Sequence, residues 1–442
     1  LKDEVTCESW GDDPEDVDYA ILFQNRFRVL KKAYKRSRHK EQSSYRTFCR
    51  QNAYWLADYC LYMALKFEND NKEWQLWEED IRFRKKAAVK LWEKKLADEI
   101  GFWEFCQYKF YEQWNRLKKY AHKKKIRLIG DIPLYVSMDS ADVWAHSDLF
   151  ELDERKKPIN IAGVPPDCFS ADGQRWGNPL YDWKAMEKDN FRWWYKRMQA
   201  NAKLYDVIRI DHFIGIVNYW SIPSSCPTAV DGKWRKGPGK KLTDVIREAT
   251  KETDIIAEDL GVVGPNVRSL IRKTGWPGMK ILEFAFDDSQ ENEYLPHNYK
   301  DPNCLVYGGT HDNETLMGFY GAKKKKDLKY VMDYLQIKKK KQIPSEMIRL
   351  GYSSIANYEC GCDELKTLYT IMRSTDGIYG GRFSGAGFKG CCMAFIDPSR
   401  AEQIAESVET KYLAVYPDLK GKYSFHLCES ADGVSAQIDL HQ

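Results

Sequence analysis

At 442 residues the chain is long enough for a large core and more than one domain. Its net charge of +4, from 69 basic and 65 acidic residues, gives no electrostatic case for a nucleic-acid partner. No apolar run approaches the ~18 residues of a membrane span, and no stretch reads as a signal peptide.

The chain opens on Leu1 rather than Met, which points to a missing natural N-terminus. From about residue 18 to 125 it reads as an amphipathic helical layer. Apolar and aromatic residues recur at three- and four-residue spacing between Lys, Arg and Glu, as in 48–67 and 87–125, and Gly and Pro are nearly absent. The texture changes at Ile126. The run Ile126-Arg127-Leu128-Ile129-Gly130-Asp131 reads as a buried strand with Asp131 at its exit, and Pro133 ends it. A long loop rich in turn residues and aromatics is expected from Gly163 to Pro179. A helix over 190–204 then leads to a strand ending at Asp211. Another, over 241–252, leads to a strand ending at Glu258. Further strands are predicted over 280–286 and 304–309. This alternation is the signature of parallel β/α architecture. Five barrel-type strands are legible where a closed (β/α)8 barrel needs eight. The Lys323–Lys326 and Lys338–Lys341 runs read as solvated helix faces.

Twelve Cys are scattered without a framework spacing. Cys360-Gly361-Cys362 and Cys391-Cys392 are too close for a zinc ribbon. They read as reduced thiols of a cytoplasmic protein, and no metal or cofactor is expected. Nothing in the sequence fixes an oligomeric state.

Three apolar, β-branched runs each stop on an acid: Val207-Ile208-Arg209-Ile210-Asp211, Ile255-Ile256-Ala257-Glu258, and Leu305-Val306-Tyr307-Gly308-Gly309-Thr310-His311-Asp312. Such a run delivers a carboxylate to the C-terminal edge of a parallel sheet, where barrel active sites sit. Retaining glycoside chemistry needs a carboxylate nucleophile and a second carboxyl that donates and then takes a proton. Arg209, two residues before Asp211 and on the same strand face, would keep that carboxylate ionised. Glu258 between Ala257 and Leu260 is placed for partial desolvation, which raises a carboxyl pKa as a general acid requires. His311 and Asp312, after the Gly-rich turn, are placed to hydrogen-bond sugar hydroxyls. Each motif alone has a plainer reading. A strand-end Asp is commonly a turn former or cap, Arg209–Asp211 fits a structural ion pair, and His212 fits a satisfied core histidine. Trp176 and Tyr219 fit a core or a sugar-stacking role alike.

The order of motifs is more specific. The stretches include Gly130-Asp131-Ile132-Pro133-Leu134-Tyr135-Val136, Asp139-Ser140-Ala141-Asp142-Val143-Trp144-Ala145, and Gly163-Val164-Pro165-Pro166-Asp167. They continue with Gln174-Arg175-Trp176-Gly177-Asn178-Pro179, Arg209-Ile210-Asp211-His212-Phe213, Ala257-Glu258-Asp259-Leu260-Gly261 and Thr310-His311-Asp312-Asn313. With these, residues 18–357 resemble the 4-α-glucanotransferases of the amylomaltase type, glycoside hydrolase family 77. The resemblance implies Asp211 as nucleophile, Glu258 as acid/base and Asp312 as transition-state stabiliser. Arg209, His311, Asp131, Asp167 and Trp176 would contact substrate. The implied partners are α-1,4-glucans and maltooligosaccharides.

Two departures from the family pattern are visible. The family's first two barrel strands have no counterpart, and after Asn357 its last strand does not follow. The tail instead resembles the C-terminal part of galactokinase-like GHMP sugar kinases, through Tyr358-Glu359-Cys360-Gly361, the Gly-rich run from Asp376 to Cys392, and Cys428-Glu429-Ser430-Ala431-Asp432-Gly433-Val434. Those kinases' N-terminal phosphate-binding motif is absent. The two matches meet within 353–361, which fits a spliced or mis-assembled reading frame. The expectation is therefore an incomplete (β/α)8 barrel over 126–357. A helical subdomain over 1–125 packs on it, and a small α+β module covers 358–442. Such a chain is expected to be a glucanotransferase of weak or no activity. The alternatives are a sugar-kinase fragment and an α-amylase-like glucan hydrolase.

Overall fold

The computed structural model describes residues 5–13, 15–167, 170–261, 263–286, 291–299, 301, 303–357, 367–368, 371–372, 374–384, 391–423 and 425–426. The chain forms two compact units, Leu1–Gly278 and Met279–Gln442. The segments 358–361, 385–390 and 428–434 of the kinase-like pattern, and the Cys360–Cys362 pair, lie outside the described residues.

The first unit begins with the helical layer read from the sequence: α1 (Tyr19–Arg36), α2 (Ser43–Glu68) and α3 (Ala97–Lys123). Asp18 caps α1 by accepting from the Ile21 amide at 2.9 Å. The spaced aromatics meet between the helices, with Trp103 of α3 against Phe27 of α1 and Phe67 of α2, both at 5.2 Å between centroids.

Among the described residues seven strands follow: β1 (Ile129–Ile132), β2 (Asn160–Val164), β3 (Gln174–Pro179), β4 (Val207–Ile210), β5 (Asn218–Pro223), β6 (Lys233–Lys236) and β7 (Asp254–Ala257). β1, β4 and β7 form a parallel sheet in that order, with Asp131 opposite Arg209 and Arg209 opposite Ile256. All four residues of β4 are buried, as a central parallel strand requires. The helices α4 (Arg192–Leu204), α5 (Lys240–Ala249) and α6 (Pro265–Thr274) supply Trp194, Met198, Leu242, Ile246, Val267 and Leu270 to the same core as Ile208 and Ile255. Among the described residues β1 ends the sheet, and Ile129 is 54 % exposed on it.

The loop read from turn residues over 163–179 is shorter than expected: it runs over 165–173, between the end of β2 and the start of β3, and these two strands join β5 and β6 in an antiparallel sheet of order β3-β2-β5-β6. The turn residues Pro165, Pro166 and Gly173 fall in the connection between β2 and β3. β3 is largely exposed, so it carries no alternating apolar pattern to betray it. Gly163 is required at the crossing, because a Cβ there would lie 2.1 Å from the Gln174 carbonyl oxygen.

The loop after β1 is fastened to the helical layer. The Asp139 carboxylate accepts from Lys66 Nζ and Tyr62 Oη, each at 2.6 Å, and from the Trp74 amide at 3.3 Å. Burial disfavours its charge, but these donors outweigh it and hold Asp139 below the ordinary carboxylate range.

In the second unit β8 (Gly278–Ile281, its first residue in the first unit) pairs with β9 (Cys304–Tyr307). The strand predicted over 280–286 starts two residues earlier, and Leu282–Phe284 is a 3-10 turn. The Phe284 carbonyl of that turn accepts from Asn292 Nδ2 at 2.7 Å. The helices α7 (Leu316–Ala322), α8 (Lys325–Tyr334) and α9 (Ile343–Asn357) follow, and Leu282, Tyr320, Val331, Ile343 and Met347 form a core among them. An antiparallel pair, β10 (Ile378–Ser384) and β11 (Cys391–Ile396), precedes α10 (Ala401–Val415), whose Ile404 and Val408 pack with Met372. No helix among the described residues is long and apolar enough to cross a membrane.

Candidate active site

The exits of β1, β4 and β7 bring Asp131, Arg209, Asp211 and Glu258 together in the first unit. Arg209 lies opposite Asp131 in the register and is 9 % exposed. Its Nη1 donates to Asp131 Oδ2 at 2.6 Å, and its Nη2 lies 3.3 Å from Asp211 Oδ1. Burial works against the guanidinium charge, but Asp131, Asp211 and Glu258 outweigh it and raise the arginine's pKa.

Glu258 leaves β7 one strand over. Its backbone amide donates to the Ile210 carbonyl, which locks the two strand exits together. Its side chain is buried, and both oxygens accept backbone amides: Oε2 from His212 at 2.6 Å and Oε1 from Leu260 at 2.8 Å. Burial is the largest influence and Asp211 adds to it. The two amides and Arg209 oppose them, and the balance pushes the carboxyl up to about 7. Glu258 is thus able to hold or release a proton near neutral pH, and it does so beside a second carboxylate whose neighbour is a fixed cation.

Trp176 of β3 is 38 % exposed and stands edge-to-face with His212 at 4.8 Å and 90°. Its indole Nε1 donates to Gln174 Oε1, which fixes the ring's tilt. Asp167 forms a turn, its carboxylate accepting from the Ser170 amide at 2.8 Å. Tyr219 is buried and packs under Arg235, so the core reading of that ring holds. His212 is buried as a core histidine is, but its Nε2 has no hydrogen-bond partner among the described residues, and burial lowers the imidazole to about 4.

His311 and Asp312 belong to the second unit. They sit on an exposed turn with His311 Nε2 3.5 Å from Asp312 Oδ1. Thr310 and Asn313 clamp that turn through the Thr310 amide and hydroxyl, both 2.9 Å from Asn313 Oδ1. The amides of His212 and Leu260 had no signature in the sequence, since any non-proline residue supplies an amide and only the backbone path aims it. Among the described residues no group of three or more His, Cys, Asp or Glu is arranged to hold a metal.

Paired acids at neighbouring exits of a parallel sheet, one ion-paired and one desolvated, are an arrangement that glycoside-processing α/β enzymes use. A sequence profile of the 4-alpha-glucanotransferase family matches residues 2–360, and the chain belongs to that family. It is 42 % identical to a Clostridium butyricum 4-alpha-glucanotransferase over 364 residues, 81 % of this chain and 74 % of the relative. It is 43 % identical to the Thermus thermophilus 4-alpha-glucanotransferase over 362 residues, 80 % of this chain and 72 % of the relative. Its fold is similar to an amylomaltase from Streptococcus agalactiae solved in complex with acarbose, at a TM-score of 0.76 and 36 % identity, covering 94 % of this chain and 83 % of that one. A second profile, for the C-terminal part of GHMP kinases, matches residues 343–414 and overlaps the first at 343–360.

Proposed function

We propose that this chain transfers α-1,4-glucan segments between maltooligosaccharides by a retaining double displacement, with Asp211 as nucleophile and Glu258 as acid/base. The observation that carries the reading is the pairing of Glu258, pushed up to about 7, with the Arg209-bound Asp211 at the next strand exit. In the first step an Asp211 oxygen attacks the anomeric carbon. The glycosidic C–O bond breaks, and the Glu258 proton passes to the departing 4-oxygen. In the second, an acceptor 4-hydroxyl gives its proton to Glu258 and attacks the same carbon, and the Asp211 ester bond breaks. Asp312 stabilises the oxocarbenium-like transition state in this reading. Asp131, Asp167, Trp176, Arg209 and His311 contact sugar. The acarbose in the S. agalactiae amylomaltase supports a saccharide ligand.

The parallel sheet β1-β4-β7 and the β8–β9 pair support five strands of a (β/α)8 barrel over 126–357, with a helical subdomain over 1–125 and an α+β module over 358–442. The flank of β1 away from β4, exposed among the described residues, supports a low turnover, because a sheet edge beside the site is held from one side. The sugar-kinase and plain-hydrolase readings are not favoured by the family match.

Incubation with maltotriose, read by chromatography, tests the proposal. Glucose plus a ladder of longer maltooligosaccharides is expected, and Asp211→Asn should erase it. Reducing-sugar release without longer products would replace transfer with hydrolysis, and ATP-dependent phosphorylation of galactose would revive the kinase.

A further inference from the structure

β1 reaches the site as its pairing runs out. Its register with β4 ends at Ile132 opposite Ile210, and the Asp211 amide closes it by donating to the Ile132 carbonyl at 3.0 Å. Pro133 follows and has no amide to donate. On its other flank β1 pairs with no strand among the described residues. Yet the Asp131 carboxylate, one residue before Ile132, meets Arg209 Nη1 at 2.6 Å with 38 % of its side chain exposed.

Side chains hold the main chain past this point. Arg197 of α4 donates from Nη2 to the Pro133 carbonyl at 2.6 Å and from Nη1 to the Leu134 carbonyl at 3.3 Å. Tyr181 Oη also donates to the Leu134 carbonyl at 2.8 Å, and Asn178 Nδ2 of β3 donates to the Val136 carbonyl at 2.9 Å. Of these donors, Arg197 takes the carbonyl nearest the ladder. Its own base is fixed. The guanidinium lies 4.9 Å from the ring of Trp194 and 5.3 Å from that of Trp193. Trp194 is fully buried in the core that holds Ile208 of β4, and Trp193 Nε1 donates to Asp142 Oδ1 at 3.2 Å.

We infer that Arg197 is a positioning residue: its guanidinium, braced on Trp193 and Trp194, clamps the Pro133 and Leu134 carbonyls and so holds the exit of β1 where the Asp131 carboxylate meets Arg209 and sugar. This rests on the reading of Asp131 as a sugar contact. A charged donor binds a carbonyl more strongly than a neutral one does. A planar fork serves two carbonyls at once, whereas an ammonium is a point charge.

Amide hydrogen exchange of the full chain, resolved to single residues by fragmentation mass spectrometry, tests the clamp. The Asp211 amide reports on the β1 exit through Ile132. The Glu258 amide, which donates to the Ile210 carbonyl at 3.1 Å, reports on the far side of β4. Arg197→Met keeps an apolar stem and removes the donors. It should speed exchange at Asp211 about tenfold, the size of one lost hydrogen bond to a charged group, and leave Glu258 as in the wild type. Arg197→Lys should give a smaller rise, again confined to Asp211, and it decides the matter if the methionine variant fails to fold. Wild-type protection at Asp211 overturns the inference. So does an equal loss at Glu258, which would mean a general loosening of the sheet.

A double-mutant cycle carries the test to the site. Arg197→Met should lower kcat/KM for maltotriose transfer about tenfold in the wild-type chain. Where Asp131→Ala has already removed the carboxylate, the fall should be less than about twofold. Equal falls in both backgrounds overturn the link to Asp131. A chain with no transfer that loses protection at Asp211 and not at Glu258 loses the proposed function and keeps the clamp.

Discussion

Arg209 and Asp131 stand opposite one another across β4 and β1, and the same guanidinium that donates to Asp131 at 2.6 Å reaches Asp211 at 3.3 Å. One planar cation thus bridges two carboxylates from adjacent strands, a task that suits a rigid fork and not a point charge. Arg209→Lys keeps the charge but serves one acid at a time. It is expected to lower kcat/KM for maltotriose transfer by about 10²–10³-fold, in the range of losing one preorganised electrostatic contact. Wild-type kcat/KM in Arg209→Lys would show that charge alone suffices.

Glu258 ties stability to pH. Its carboxyl rises from 4.5 to about 7 on folding, so between those values the folded chain holds more protons than the unfolded one. Stability through this group is therefore full below pH 4.5 and falls as pH rises to about 7, by about 3 kcal/mol in all. His212 acts in the opposite sense. Its folded value is depressed from 6.5 to about 4, so its contribution is lost as pH falls through that window. The two slopes oppose each other in the wild-type curve, and only a difference isolates Glu258. Denaturant unfolding of Glu258→Gln and wild type across pH 4.5–8 should show the variant gaining on the wild type as pH rises. A constant offset would mean that Glu258 is not desolvated.

The acids were legible because each closes a β-branched run, and that pattern survives without knowledge of any contact. The Arg209–Asp211 pairing was legible for the same reason, since two residues along a strand share a face. The antiparallel sheet β3-β2-β5-β6 was hidden. Its strands are short, β3 is largely exposed, and Pro165, Pro166 and Gly173 crowd the connection between β2 and β3, so local turn chemistry outweighed a pairing made between distant segments. The left-handed backbone at His212 was equally hidden, because no residue type demands it there.

Asp139 offers a test of how the helical layer supports the site. Lys66, Tyr62 and the Trp74 amide converge on its carboxylate, and the side chains of Lys66 and Asp139 are only 13 % and 31 % exposed. Asp139→Asn keeps the shape and removes the charge, leaving the Lys66 ammonium partly buried without its counterion. A loss of about 2–4 kcal/mol is expected, near that of breaking a partly buried ion pair. Lys66→Met in the same background should restore part of it, since the orphaned charge is then gone. Denaturant unfolding of the two single variants and the double variant measures the coupling. Additive losses would show that the pair does not act as a unit.

Glu283 is a buried acid of the second unit. It is 4 % exposed, and neither carboxylate oxygen has a hydrogen-bond partner among the described residues. The carboxyl rests on Gly309, where a Cβ would sit 3.1 Å from its Cδ. Burial is the main force raising its pKa; Glu314 adds to it and Lys323 opposes it. The folded chain therefore keeps this proton above the pH at which the unfolded chain releases it, and stability falls as pH climbs from 4.5 toward the raised value. Glu283→Met is close in volume and needs no partner. It should be more stable than the wild type at neutral pH by about 1–3 kcal/mol, the cost of an unsatisfied buried polar group. The gain should shrink as pH falls through 4.5, well below which the acid is neutral in both states. Gly309→Ala should act the other way, because its new methyl meets the same carboxyl. Urea unfolding of the three chains at pH 5 and pH 8 decides the matter. A Glu283→Met variant less stable than wild type at pH 8 would mean that the carboxylate holds the turn before His311 and Asp312 in place.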